Sequence, residues 1–228
     1  WFGDKVTEQD WPHLWLSEGF ATYMTDLYLE NKYGGDSLKG LLGKQREEVI
    51  AFSKKHKLHV VDTSERKHLM RLLNANSYQK GAWVLNMLRR KLGDDLFWKS
   101  IRAYYKTYYE RNANTTDLEK IFEQVSHQNL QTFFRQWLYS PGQPMLDIDW
   151  KYDQSKKSVT LNIEQTQGNL FEFSLEIGFA SGNKMVIKTI DIKDKTTKKV
   201  VLLDKEPGKI IVDPDVHLLM AANVKHLD

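Results

Sequence analysis

The hydrophobic period of this 228-residue chain changes once, near Pro144, and that change constrains the fold more than any other feature. Up to about residue 140 the apolar residues recur at helical spacing. Ala82, Leu85, Leu88 and Leu92 run along one face ahead of Gly93, a helix stop. Beyond Pro144 the period is two. In "FEFSLEIGF" the residues Phe171, Phe173, Leu175, Ile177 and Phe179 face one way, and "SVTLNIE", "KMVIKTIDI", "KKVVLL" and "KIIVD" are further strands between Gly, Asn, Lys and Asp turn residues. About seven short strands fit an antiparallel β-sandwich. The expected class is α+β, with a helical part over residues 1–143 and a sandwich over 144–228.

Punctuation within the helical part predicts its elements. A first helix begins near Asp10, tolerates Pro12 in its opening turn and stops before Gly34-Gly35. Asp36 and Ser37 are the expected caps of a second, "LKGLLGKQREEVIAF". Residues 58–76 read as a loop. Further helices run from Ser77 to Leu92, from Asp94, through "TTDLEKIFEQV" with Thr116 as its expected cap, and through "LQTFFRQWL".

Composition excludes more than it selects. Hydrophobic residues at 41% and aromatics at 12% suffice for a real core. A net charge of +3 with scattered lysines argues against a nucleic-acid partner. The absence of cysteine rules out disulfides and thiolate metal sites but leaves the compartment unknown: a soluble protein of the cytoplasm, the periplasm or the extracellular space fits equally. No apolar run approaches the roughly 20 residues of a membrane-spanning helix. The opening Trp-Phe-Gly-Asp, in place of methionine, suggests an excerpt.

The segment "HLWLSEGFATYM", residues 13–24, sets one carboxylate in an aromatic run. On a helix, positions 11, 14, 15, 18, 21, 22 and 25 share a face, so Glu18 is expected among Trp11, Leu14, Trp15 and Ala21, where solvent is scarce. An acid placed there needs a partner. An ion pair, a hydrogen-bonded cap and a metal ion remain open on this ground alone.

"WFGDKVT" followed by "WPHLWLSEGFATY" resembles the stretch after the zinc-binding helix of the aminopeptidase N family of gluzincin metallopeptidases. That pattern is His-Glu-x-x-His, a spacer of eighteen residues, then Glu within Trp-Leu-(Asn/Ser)-Glu-Gly-Phe-Ala. "NANSYQKGAWVLNML" resembles the family's Tyr-x-Lys-Gly-Ala helix start, and "FFRQWLYSPGQPML" its Trp-Leu-x-x-Pro-Gly-x-Pro exit toward a β-sandwich. The resemblance implies the helical C-terminal part of a thermolysin-like catalytic domain over residues 1–143, with Glu18 as a ligand of one zinc ion and Tyr78 as the catalytic oxyanion donor. Peptides, shortened from their N-termini, are the implied substrates.

It also places the His-Glu-x-x-His helix just upstream of Trp1. The chain alone is then expected neither to hold catalytic zinc nor to hydrolyse peptides, and to self-associate through a face exposing Trp11 and Trp15. Thr25 stands where the family usually carries a glutamate, and Asp26 points about 100° away around the helix. His13, His56 and His59 read as packing or surface, Lys80 and Gly81 as parts of a helix turn with Gly81 allowing close packing. A non-catalytic binding module that has lost its zinc site is the alternative, and a purely structural helical scaffold a third reading.

Overall fold

Asp10 opens the helical half, but not as the cap of a long helix. In the computed structural model, which describes residues 1–65 and 69–227, its carboxylate accepts from Trp11 N at 2.9 Å and caps a single 3-10 turn, Trp11–His13, with Pro12 in its opening positions. Helix α1 (Trp15–Tyr33) follows. Gly34, at φ +88°, ends it in a conformation that L side chains rarely adopt, and α2 (Gly35–Lys55) starts at once. Asp36 therefore sits inside the first turn of α2, where it complements the helix dipole, and does not cap it.

The stretch expected as a loop, 58–76, holds a 3-10 turn (Thr63–Glu65) and the one-turn helix α3 (Leu69–Leu72); residues 66–68 lie outside the described set. A π-helical turn, Asn76–Lys80, leads into α4 (Gly81–Leu92), and Gly93 at φ +80° separates it from α5 (Asp94–Tyr108). Helices α6 (Thr115–Ser126) and α7 (Gln131–Leu138) complete the set. The cap of α6 is Asn114, not Thr116. Its side chain accepts from Asp117 N at 3.1 Å while the Asp117 carboxylate accepts from Asn114 N at 2.9 Å, a reciprocal capping box. Two short strands, β1 (Val6–Glu8) and β2 (Arg111–Ala113), pair in parallel.

Chain contacts divide the protein into two units, Trp1–Gly142 and Gln143–Asp228. The core of the first is built on α1 and α4. Trp15, Phe20 and Tyr23 of α1 are fully buried, and residues 81–88 of α4 are buried on every side, as expected of a central helix. Among the described residues no helix is long and apolar enough to cross a membrane.

The second unit holds β3 (Met145–Asp153), β4 (Ser158–Gln165), β5 (Phe173–Ser181), β6 (Lys184–Ile192), β7 (Thr196–Leu202), β8 (Lys209–Val212) and β9 (Ala221–His226). They form two sheets, ordered β7-β4-β3-β9 and β6-β5-β8, antiparallel throughout except for the parallel β3–β9 pair. Ile148, Leu161 and Ile163 from one sheet and Leu175, Ile177 and Phe179 from the other are buried, the two inner faces of a sandwich. Gln165 sews its rim: the amide donates to the carbonyls of Phe171 and Asp194 and its oxygen accepts from Phe171 N.

One buried charge sits between α1 and α2. Gln45 Nε2 donates to both oxygens of Asp26 at 3.0 and 2.8 Å, while Gln45 Oε1 is a buried acceptor with no partner. Burial pushes the Asp26 carboxyl up to about 6 despite that amide. Because the folded value is raised, Asp26 favours the fold below the ordinary carboxylate range and loses that contribution as pH rises through 6. Asp26→Asn removes the charge and offers a donor to Gln45 Oε1. It is expected to raise stability above pH 6 by about 1–2 kcal/mol and to give no gain at pH 4; urea melts at the two pH values read the difference, and an equal effect at both contradicts it.

Candidate functional site

Two glycines set the geometry around Glu18. A Cβ placed on Gly19 would lie 2.9 Å from the backbone C and Cα of Gly81 and 3.2 Å from Ser77 O; one on Gly81 would lie 3.0 Å from Gly19 Cα. Helix α1 thus meets the start of α4 backbone to backbone, closer than any side chain allows. Glu18 adjoins one glycine and Tyr78 precedes the other by three residues, so the crossing brings the two together. The Tyr78 phenol comes near enough to Glu18 to feel its carboxylate, and its pKa is raised by burial first and then by that neighbour.

Docking at Gly19 also turns α1 away from the orientation its aromatics suggest. The packed stripe is Trp15, Leu16, Gly19, Phe20, Tyr23 and Asp26. Glu18 lies beside it, half-buried, with Ala21 and Thr25 exposed and Trp11 46% exposed. Of the residues expected around Glu18, Leu14 and Trp15 are buried as expected while Trp11 and Ala21 are exposed, so Glu18 lies at the edge of the packed stripe with its other side open. Trp15, expected to be exposed by truncation, is 0% exposed, and its Nε1 donates to Thr115 Oγ1 at 2.9 Å. Among the described residues Glu18 meets a phenol, not an ion-pair partner or a cap. Its place in the first turn of α1 favours a negative charge.

Tyr78 is carried by a widened turn. Lys80 N bonds to Ala75 O at 2.8 Å, the five-residue spacing of a π-turn, a feature that recurs where a helix must redirect a side chain. The turn is held inward by its own polar residues. Asn76 Nδ2 donates to Leu58 O at 2.9 Å and His59 O at 3.2 Å, and Ser77 Oγ to Leu72 O at 2.5 Å. Lys80 is 0% exposed and its Nζ donates to Gly142 O at 2.7 Å; burial pushes its ammonium down to about 7. Neither the π-turn nor the burial of Lys80 was readable from periodicity. A lysine followed by two small residues in an apolar helix start was the available signal.

The other candidates stay outside. Thr25 Oγ1 donates to its own helix at Ala21 O, and Asp26 is spent on Gln45. His13 Nδ1 lies 2.9 Å from Thr115 Oγ1 and accepts from Thr115 N at 3.3 Å. His56 is exposed and stacks on Phe52, while His59 is half-buried. Among the described residues no group of three His, Asp or Glu side chains could hold a metal ion. Glu18 offers a single carboxylate, and these donors do not complete a zinc site, which takes three protein ligands.

A profile described as the peptidase family M1 domain matches residues 1–137. Aminopeptidase M1-A of Oryza sativa subsp. japonica is 32% identical over 181 residues, covering 73% of this chain and 19% of that protein. Probable aminopeptidase 2 of Sulfurisphaera tokodaii is 29% identical over 225 residues, covering 95% and 26%. The crystal structure of Legionella pneumophila aminopeptidase A in complex with aspartic acid superposes at a TM-score of 0.75 with 18% identity, over 98% of this chain and 25% of that one, a likeness of fold. The chain spans about a fifth to a quarter of the length of these curated relatives.

The glycine crossing makes a direct prediction. Gly19→Ala forces a methyl group against the Gly81 backbone, which cannot yield as a side chain tip can, and is expected to cost about 1–3 kcal/mol. Denaturant melts measure the cost, and an unchanged midpoint contradicts the crossing.

Proposed function

This chain belongs to peptidase family M1, and on that premise we propose that it carries one metal ligand and the oxyanion donor of a zinc aminopeptidase. In this reading residues 1–143 are the helical part of a thermolysin-like catalytic domain and 144–228 a separate β-sandwich domain. The observation that supports it most is the contact of the Tyr78 phenol with the Glu18 carboxylate on the open side of α1. Glu18 contributes one ligand, and the two imidazoles come from a His-Glu-x-x-His helix that these 228 residues do not contain. Bound zinc would supply polarisation of the scissile carbonyl and activation of a water molecule.

The chain's own part is the proton on Tyr78. Burial and the neighbouring carboxylate keep the phenol protonated through the neutral range, so it remains a donor. The same O–H is available to a peptide carbonyl oxygen that gains negative charge beside Glu18. A preorganised donor of this kind is worth roughly 3 kcal/mol, or 10²–10³ in rate. The relatives named aminopeptidase support release of N-terminal residues from peptides as the activity.

A single carboxylate does not hold zinc, so the 228-residue chain by itself is proposed to be inactive. The non-catalytic module draws support from Thr25, exposed and bonded to its own helix where a carboxylate would steady a zinc-bound histidine. Exposed Trp11 supports self-association of the isolated chain, which light scattering would read as species above 26.7 kDa.

Two experiments test the main reading. In the full-length protein Tyr78→Phe is expected to lower kcat 10²–10³-fold, whereas turnover at the wild-type rate contradicts the oxyanion role. Calorimetry of the 228-residue chain with zinc is expected to show no tight one-to-one binding; a saturating, stoichiometric isotherm overturns the claim of an incomplete donor set.

A further inference from the structure

The π-turn spends its polar side chains unevenly. In Asn76-Ser77-Tyr78-Gln79-Lys80, the side chains of Asn76, Ser77 and Lys80 all donate inward to backbone carbonyls, at Leu58 and His59, at Leu72 and at Gly142. Tyr78 has no such inward bond among the described residues, and its phenol is close enough to Glu18 for that carboxylate to raise its pKa. The first two anchors hold the N-terminal end of the turn to the stretch before it. The third reaches from the last residue of the turn to Gly142, at φ +75° in the Ser-Pro-Gly-Gln-Pro segment and 62 residues further along the chain.

A fully buried lysine is a costly way to fill space. Desolvation lowers its ammonium to about 7, and one carbonyl is the hydrogen-bond partner seen for its three donor positions. Methionine or leucine would occupy the same volume without that cost. What an aliphatic side chain cannot do is hold the carbonyl of Gly142 at a fixed distance from the end of the turn. Anchored at one end only, a π-turn can relax to the ordinary helical spacing, which rotates residues before the break by a large fraction of a turn.

We infer that Lys80 is a positioning residue for Tyr78: its buried tether to the Gly142 carbonyl locks the π-turn that aims the phenol at Glu18. The inference deepens the proposed function and rests on it only for what Tyr78 does, not for where Tyr78 is held. Removal of the tether should leave the helices in place while the phenol leaves Glu18.

The test uses the 228-residue chain labelled with tyrosine carrying 13C at Cζ, whose resonance reports what the phenol oxygen bonds to. Tyr78→Phe identifies the Tyr78 signal among ten tyrosines, and Glu18→Gln gives its position once the carboxylate partner is lost. In Lys80→Met the Tyr78 signal is expected to move to that Glu18→Gln position, with the other tyrosines unmoved and the melt still cooperative. Lys80→Gln, too short to reach the carbonyl, is expected to do the same. An unmoved Tyr78 signal in either folded variant overturns the inference, and loss of folding in both overturns it too, since Lys80 then supports the whole unit and not the turn. Should Tyr78→Phe keep full turnover in the full-length protein while Lys80→Met still moves the signal, the proposed function fails and the tether stands.

Discussion

The contact of Gly19 with Gly81 is the constraint on which the functional half of this protein depends. Two helices that meet through Cα atoms have no side chains between them to absorb error, so their relative position is fixed by backbone geometry. That contact decides which side of α1 is packed and which is open. It places Glu18 beside the seam with one side toward solvent, and it delivers Tyr78 to Glu18 from the opposite helix. A carboxylate and a phenol could be brought together by flexible segments, but the oxyanion role proposed for Tyr78 requires a donor held in place before the reaction begins.

The polar interior around the site serves the same end. Lys80, Asn76 and Ser77 direct their donors to carbonyls that the local backbone leaves free, which satisfies those carbonyls and stiffens the π-turn in one move. Asp26 and Gln45 tie α1 to α2 on the side away from Glu18 at some electrostatic cost. Such groups add little net stability compared with apolar packing of the same volume. Their effect is to select one arrangement of α1, α2 and the turn.

Much of this was legible in the order of residues, and the failures have specific causes. Alternation from Phe171 to Phe179 announces a strand because period two has no competing reading there. Gly34 and Gly93 mark true helix ends because each sits at positive φ. Glu18 and Tyr78 are found through segments that resemble those of a known family, not through periodicity. The packed stripe of α1 was read only in part, because Trp15, Leu16, Phe20 and Tyr23 spread around the helix and a hydrophobic pattern gives no weight to Gly19. Of the seam, close packing at Gly81 was expected and its partner Gly19 was not. Asn114 and Thr116 each have an acid three residues on, Asp117 and Glu119, so the capping pattern alone did not choose between them as the cap of α6. Lys80 was read as part of the helix turn, where it lies, but hydrophobic periodicity gave no sign of its burial.

The central claim is that the glycine seam creates the Glu18–Tyr78 interaction, and a double-mutant cycle measures it most directly. Stabilities of the wild type, Glu18→Gln, Tyr78→Phe and the double variant yield the coupling between the two side chains, first with Gly81 intact and then in a Gly81→Ala background. The account predicts a coupling of about 1 kcal/mol, the size of a half-buried phenol donating to a carboxylate, falling to zero once the methyl group parts the helices. A coupling of zero in the wild type, or one that survives Gly81→Ala undiminished, contradicts it.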